Sequence, residues 1–249
     1  MVITLDNKAF EDILARLREM RLPEMANQLI MMKESGELYT MSALEVLDRL
    51  TGEEKMSRRN NTIQRYLKAS KMSQPYATLN GFKKDAITNK SVFAQLCDDT
   101  YITRKRNIIV LGACGTGKSY LVNAFVADAC SHLHTALYCR MFELLTDTNN
   151  ERLTAGETSR TIRKYTRPEV LVIDDFMNVT LTEKESLDLF KILEYRYSNA
   201  STIIASQFEP REWHNKMQNP ILADSILDRV TGGAYTLVLT GDSLRQKAQ

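Results

Sequence analysis

The sequence predicts an α/β fold, a five-stranded parallel sheet wound by helices on both faces and preceded by a small helical unit. Five short apolar runs, 107–111, 135–139, 169–174, 202–206 and 235–240, have the continuous hydrophobicity of strands buried on both faces. Segments of helical periodicity separate them, the alternation that builds a doubly wound sheet. The first run leads directly into the glycine-rich stretch Gly112-Ala113-Cys114-Gly115-Thr116-Gly117-Lys118-Ser119, and a helical segment from Tyr120 follows it.

A chain of 249 residues has room for one such domain and a smaller appendage. The division is expected at 75/76, with a helical N-terminal domain over 1–75 and the sheet domain over 76–249. No apolar run approaches the roughly 18 residues of a membrane helix. The start, Met1-Val2-Ile3-Thr4-Leu5-Asp6, lacks the basic opening and sustained apolar core of a secretion signal. Cys97, Cys114, Cys130 and Cys139 form no C-x-x-C pair, which suits reduced thiols in the cytoplasm. His132 and His134 have no cysteine or carboxylate partner at ligand spacing, so no metal role is read there.

In chain order, Phe10, Ile13, Leu14 and Leu17 form one apolar stripe. Pro23 suits the first turn of a second helix carrying Met25, Leu29, Ile30 and Met32. Ser42-Ala43-Leu44-Glu45 is a capping box opening a third helix. Whether that helix ends at Gly52 or passes through it, at about 1 kcal/mol relative to alanine, stays open at this level. From Lys55 to Lys84 there are eight basic residues and no acidic one. Lys55, Arg58, Arg59, Arg65, Lys68 and Lys71 make a positive field for which a phosphate backbone is the natural complement. Such contacts would be independent of base sequence.

The glycine stretch fits G-x-x-x-x-G-K-[ST] between strand and helix, the context a phosphate-binding loop requires. Its backbone N–H groups and the following helix N-terminus suit a polyphosphate. Lys118 would reach the β- and γ-phosphates and Ser119 would ligate Mg²⁺. The nucleotide-binding run is thus Gly112 to Tyr120, by residue Gly112, Ala113, Cys114, Gly115, Thr116, Gly117, Lys118, Ser119 and Tyr120. Past it, 135–139 is a strand, Arg140 to Leu145 helical, and 147–152 loop-like. Val170-Leu171-Val172-Ile173-Asp174-Asp175 is a buried strand ending in acid. In a P-loop protein Asp174 would hold Mg²⁺ and Asp175 would orient or activate water. Residues 183–197 form an amphipathic helix with Leu187, Phe190, Ile192, Leu193 and Tyr197 inward. At the end of 202–206 either Ser206 or Gln207 would sense the γ-phosphate, the choice being open. A helix over 221–230 and a last strand complete the domain.

These residues resemble the IstB/DnaC branch of the AAA+ ATPases. The resemblance rests on the P-loop, Leu171-Val172-Ile173-Asp174-Asp175, Thr202-Ile203-Ile204-Ala205-Ser206-Gln207, Ile226-Leu227-Asp228-Arg229 and Gly241-Asp242-Ser243-Leu244-Arg245. Length, the helical N-terminus and the basic segment around Arg58-Arg59-Asn60-Asn61 look more like IstB. The resemblance implies an ATP- and Mg²⁺-dependent helper of insertion-sequence transposition. Such a protein binds and bends double-stranded DNA, self-assembles and recruits a transposase; a DnaC-like loader of a replicative helicase is the alternative. It further implies that Arg229 is an arginine finger reaching a neighbouring subunit's nucleotide, and that Arg245 contacts phosphate. Asp175 stands where AAA+ proteins usually have Glu, and Gln207 where asparagine is usual. Too few residues follow Val230 for the helical lid most AAA+ domains carry.

Overall fold

The computed structural model describes residues 7–241, and the chain divides between Gln64 and Arg65. In the first unit α1 (Asn7–Glu19) and α2 (Pro23–Glu34) precede the long helix α3 (Ala43–Ala69). Phe10, Leu14, Leu17, Ala26, Leu29 and Met32 form its core together with Leu50. Leu22 offers α2 no side-chain cap. The buried Glu54 replaces it, accepting from Glu24 N at 3.0 Å and Met25 N at 3.4 Å, a carboxylate at the positive end of a helix. Gly52 does not break α3, because nothing at that position requires a turn. The division falls before the expected 75/76 boundary, since Tyr66, Leu67 and Met72 already pack on the core of the second unit.

The second unit holds α4 (Lys90–Leu96), α5 (Thr100–Thr103), β1 (Ile108–Gly112), α6 (Lys118–Ser131), β2 (Ala136–Arg140) and α7 (Met141–Ala155). It continues with α8 (Ser159–Thr166), β3 (Val170–Asp174), α9 (Glu183–Arg196), β4 (Ser201–Ser206), α10 (Pro210–His214), α11 (Pro220–Thr231) and β5 (Tyr235–Leu239). The strands are parallel in the order β2-β3-β4-β1-β5, at the places the apolar runs predict. Period-two alternation splits β1 to β4 between two cores, while the edge strand β5 contributes Leu237 and Leu239 to one of them. Val110, Val172 and Ile203 face α4 to α6, whereas Ile109, Ile173 and Ile204 face α7 to α11.

Two helical expectations need correction. Helix α7 runs through 147–152, which reads as loop, because its polar residues are engaged. Asn149 donates to Glu185 at 2.9 Å, Arg152 pairs with Asp188, and Glu151 caps α8 at Arg160 N and Thr161 N. In α9 Leu187 is exposed, as is Tyr197 just past its end; the buried face is Ser186, Asp188, Leu189, Ile192, Leu193 and Arg196. Arg196 is 1% exposed and donates to the carbonyls of Pro168 (2.7 Å), Ser201 (2.5 Å) and Tyr165 (3.1 Å) and to Thr202 Oγ1 (3.0 Å). It ties the end of α8 to the start of β4, and its burial lowers the guanidinium pKa to about 9. His134 does find carboxylates, Glu169 at 3.0 Å and Asp99 at 3.2 Å. Among the described residues no group of His, Cys, Asp and Glu is placed to hold a metal, and no helix is long and apolar enough to cross a membrane.

Candidate nucleotide-binding site

The strand order decides what the site contains. β4 lies between β1 and β3, so the end of β4 stands between the P-loop and the acidic strand end, at the carboxyl edge where α/β sheets bind ligands. A cavity of about 460 Å³ opens there, lined by Cys114, Gly115, Gly117, Lys118, Ser119 and Tyr120 of the loop and by Asp175, Asn178, Gln207 and Gln74.

The loop's geometry follows from its glycines. Gly115 and Gly117 have φ of 84° and 96°, the left-handed region that L side chains avoid. Gly117 is the N-cap of α6, so the helix begins at Lys118. Lys118 Nζ donates to Gly112 O (2.7 Å) and Ala113 O (2.8 Å), a brace across the loop. Thr116 is buried, its hydroxyl donating to Ala113 O at 2.9 Å. Ala113 and Cys114 are exposed and contribute backbone.

Asp174 and Asp175 have different surroundings. Asp174 is 1% exposed; its Oδ1 accepts from Asp175 N (2.9 Å) and its Oδ2 from the Tyr138 hydroxyl (2.9 Å). Burial, then the charge of Asp174, pushes the Tyr138 phenol up to about 12. Asp175 takes φ of 54°, strained for a residue with a Cβ. Phe176 N donates to Ala205 O at 2.9 Å, so the chain turns back on β4 and Asp175 is left at the cavity wall. Ser119 and Asp174 are oxygen donors, the chemistry a hard divalent cation takes. The carboxylate retains lone pairs beyond the two hydrogen bonds named.

Of the two sensor candidates, only Gln207 reaches the cavity. Its Nε2 donates to Asn178 Oδ1 at 3.1 Å, and Asn178 Nδ2 donates to Asp175 Oδ1 at 3.2 Å. Ser206 is fully buried and does not line the cavity. Its hydroxyl donates to Phe176 O (2.8 Å) and accepts from Phe208 N (3.1 Å) and Trp213 Nε1 (3.1 Å), which uses its whole capacity. Asn178 was not foreseen; the available signal was an amide three residues beyond the acidic pair.

Arg229 is away from this cavity. Its Nε donates to Glu194 Oε2 at 2.5 Å and its Nη1 to Asp228 at 3.1 Å, with Phe190 and Tyr197 rings 5.7 and 5.8 Å from the guanidinium. The hydrogen bond to Glu194 raises its pKa. Its carbonyl accepts from Asn107 Nδ2 at 2.8 Å, just before β1 and so at the opposite strand end from Gly112. Arg245 lies outside the described residues.

Of the basic residues, Lys55, Arg59, Arg65, Lys68 and Lys71 are exposed. Arg58 is also exposed but internally engaged, through Glu54 Oε1 (2.7 Å) and Arg21 O (2.7 Å). It braces the first unit, which the charge pattern alone does not reveal.

The family model described as IstB-like ATP binding protein matches residues 15–249. The putative insertion sequence ATP-binding protein y4pL of Sinorhizobium fredii is 30% identical over 94% of this chain and 95% of its own. The insertion sequence IS232 putative ATP-binding protein of Bacillus thuringiensis is 24% identical over 96% of each. Among solved structures, the DnaC helicase loader covers 66% of this chain and 97% of its own at TM-score 0.55 and 16% identity. AMPPCP-bound DnaA from Aquifex aeolicus covers 69% and 52% at TM-score 0.55 and 20% identity. At these identities the likeness is one of fold.

Proposed function

The chain belongs to the IstB-like ATP-binding protein family, and from that premise we propose that it is an ATPase that assembles on duplex DNA and assists a transposase of an insertion sequence. The observation that carries the reading is the single cavity joining Lys118 and Ser119 to Asp175, Asn178 and Gln207. Lys118 binds the β- and γ-phosphates, while Ser119 and Asp174 hold Mg²⁺. The ion, when bound, neutralises charge between those phosphates. Asp175, held by Asn178 and next to Gln207, orients the attacking water. Arg229, remote from its own P-loop, serves a neighbouring subunit after leaving Glu194, which makes hydrolysis depend on self-assembly. Lys55, Arg59, Arg65, Lys68 and Lys71 grip the DNA backbone. The bend such an array imposes, of order 1–6 kcal/mol for a short duplex, is offset by further phosphate contacts.

The test is phosphate release by the full chain at saturating ATP, with and without duplex, beside a Lys55→Glu, Arg65→Glu, Lys68→Glu triple variant. Duplex should stimulate the wild type. The variant should bind all sequences more weakly, with a salt slope shallower by about 0.9 per lost contact. No release under any condition would refute the ATPase reading. Preference for single strands over duplex would favour a helicase loader, the function named for the DnaC structure whose fold this chain shares.

A further inference from the structure

The segment after α3, Ser70 to Gln74, is fastened at two points, and each fastening continues to a residue proposed to hold the magnesium ion. Ser70 O accepts from Tyr138 N at 2.7 Å, and the hydroxyl of the same Tyr138 donates to Asp174 Oδ2 at 2.9 Å. Ser73 N and Gln74 N donate to Asn123 Oδ1 at 2.9 and 3.3 Å. Asn123 Nδ2 donates to Ser73 Oγ at 3.1 Å and to Ser119 O at 2.7 Å.

Asn123 has no exposed surface and sits among the apolar side chains of α6. An amide in such a place is tolerated only when its hydrogen bonds are made. Here both N–H groups and both lone pairs of the oxygen are used, the full capacity of the side chain. The same segment borders two cavities. Gln74 lines the nucleotide cavity. Lys71 and Ser73 line a second one of about 510 Å³ together with Tyr138 and Arg140. Cations that would meet DNA, Arg65, Lys68 and Lys71, lie in and just before the segment that Asn123 and Tyr138 hold.

We propose that Asn123 and Tyr138 are positioning residues that link the basic end of α3 to Ser119 and Asp174, so that a polyanion held at Arg65, Lys68 and Lys71 strengthens magnesium-dependent nucleotide binding. This rests on the function proposed above and concerns the regulation of its site. Each link passes through one intervening residue, Tyr138 to the Asp174 carboxylate and Asn123 to the Ser119 backbone carbonyl, so a displacement of the segment changes the restraint on both positions at once. Coupling of this kind is reciprocal: nucleotide strengthens DNA binding by the factor by which DNA strengthens nucleotide binding.

The test titrates the full-length chain with a fluorescent ATP analogue in EDTA and in Mg²⁺, each with and without a duplex of mixed sequence. Tyr138→Phe removes only the hydroxyl, and Asn123→Ser shortens the amide; thermal melting reports whether each is folded. Tyr138→Phe should leave affinity in EDTA within twofold of wild type. It should reduce the enhancement by Mg²⁺ at least fivefold and bring the duplex-dependent factor close to one. Asn123→Ser should lose the duplex-dependent factor likewise. Wild-type enhancement and coupling in folded Tyr138→Phe would overturn the inference, as would equal losses in EDTA and Mg²⁺. A wild type that binds Mg²⁺-nucleotide but ignores duplex would overturn the coupling and leave the nucleotide site standing. A wild type without Mg²⁺-dependent binding would overturn the proposed function, and the inference with it.

Discussion

Gly112→Ala tests how the P-loop is built. Gly112 ends β1 opposite Leu239 of β5. An added Cβ would stand 2.7 Å from Leu239 O, 2.8 Å from Thr116 Oγ1 and 3.1 Å from Leu239 Cβ, well inside the ~3.5 Å of an ordinary contact. Leu239 O is backbone in a paired strand and has no rotamer to escape into. Overpacking of this kind costs about 1–3 kcal/mol. For a domain of this size that corresponds to roughly 2–10 °C in Tm. Because Lys118 is braced on Gly112 O, the displacement also reaches the phosphate-binding amine. A loss of ~1.4 kcal/mol there is tenfold in Kd. Gly52→Ala is the control: no atom lies within 4 Å of its added Cβ, and it removes a glycine from mid-helix, worth up to about 1 kcal/mol of stability. Thermal melting and titration with a fluorescent ATP analogue read both. Gly112→Ala with the melting point and nucleotide affinity of the wild type would refute the packing argument.

Other expectations separate roles that share a neighbourhood. Ser206→Ala should lower stability by about 1–3 kcal/mol, through the unpaired Phe208 N–H and Phe176 carbonyl, with little change in phosphate release by the folded protein. Gln207→Ala should leave melting unchanged and reduce DNA-stimulated turnover by roughly tenfold or more, within the range of a group acting in the transition state. Arg229→Ala should retain ATP binding and lose stimulated phosphate release. Glu194→Gln, which loosens the partner of Arg229, should raise release at low protein concentration. Arg196→Met leaves several buried carbonyls without their donor and should cost about 3 kcal/mol or more, measured by denaturant unfolding.

Where the sequence was informative, residue type and chain direction were enough. Glycine at Gly115 and Gly117, with Lys118 and Ser119 next, has few uses besides a phosphate loop, and five uninterrupted apolar runs have little choice but a buried parallel sheet. It was less informative where polar side chains satisfy one another inside the fold. Asp147 to Arg152 reads as loop because its partners, Lys164, Glu185 and Asp188, are remote in sequence. Arg196 and Asn123 break an apolar pattern that only their hydrogen bonds explain. Ser206 and Gln207 are adjacent, and the turn at the end of β4 alone decides which one faces the cavity. The basic segment was legible as charge, but Arg58 is engaged by Glu54, one helical turn before it.

If the proposed function is right, nucleotide drives assembly on DNA. Sedimentation velocity of the purified full chain with a duplex of about 50 base pairs, roughly five helical turns, tests it most directly when run with Mg²⁺-ATP and with EDTA. A fast-sedimenting protein–DNA species is expected in Mg²⁺-ATP and should be lost in EDTA and in Lys118→Ala. Monomeric protein and free duplex in every condition would contradict it.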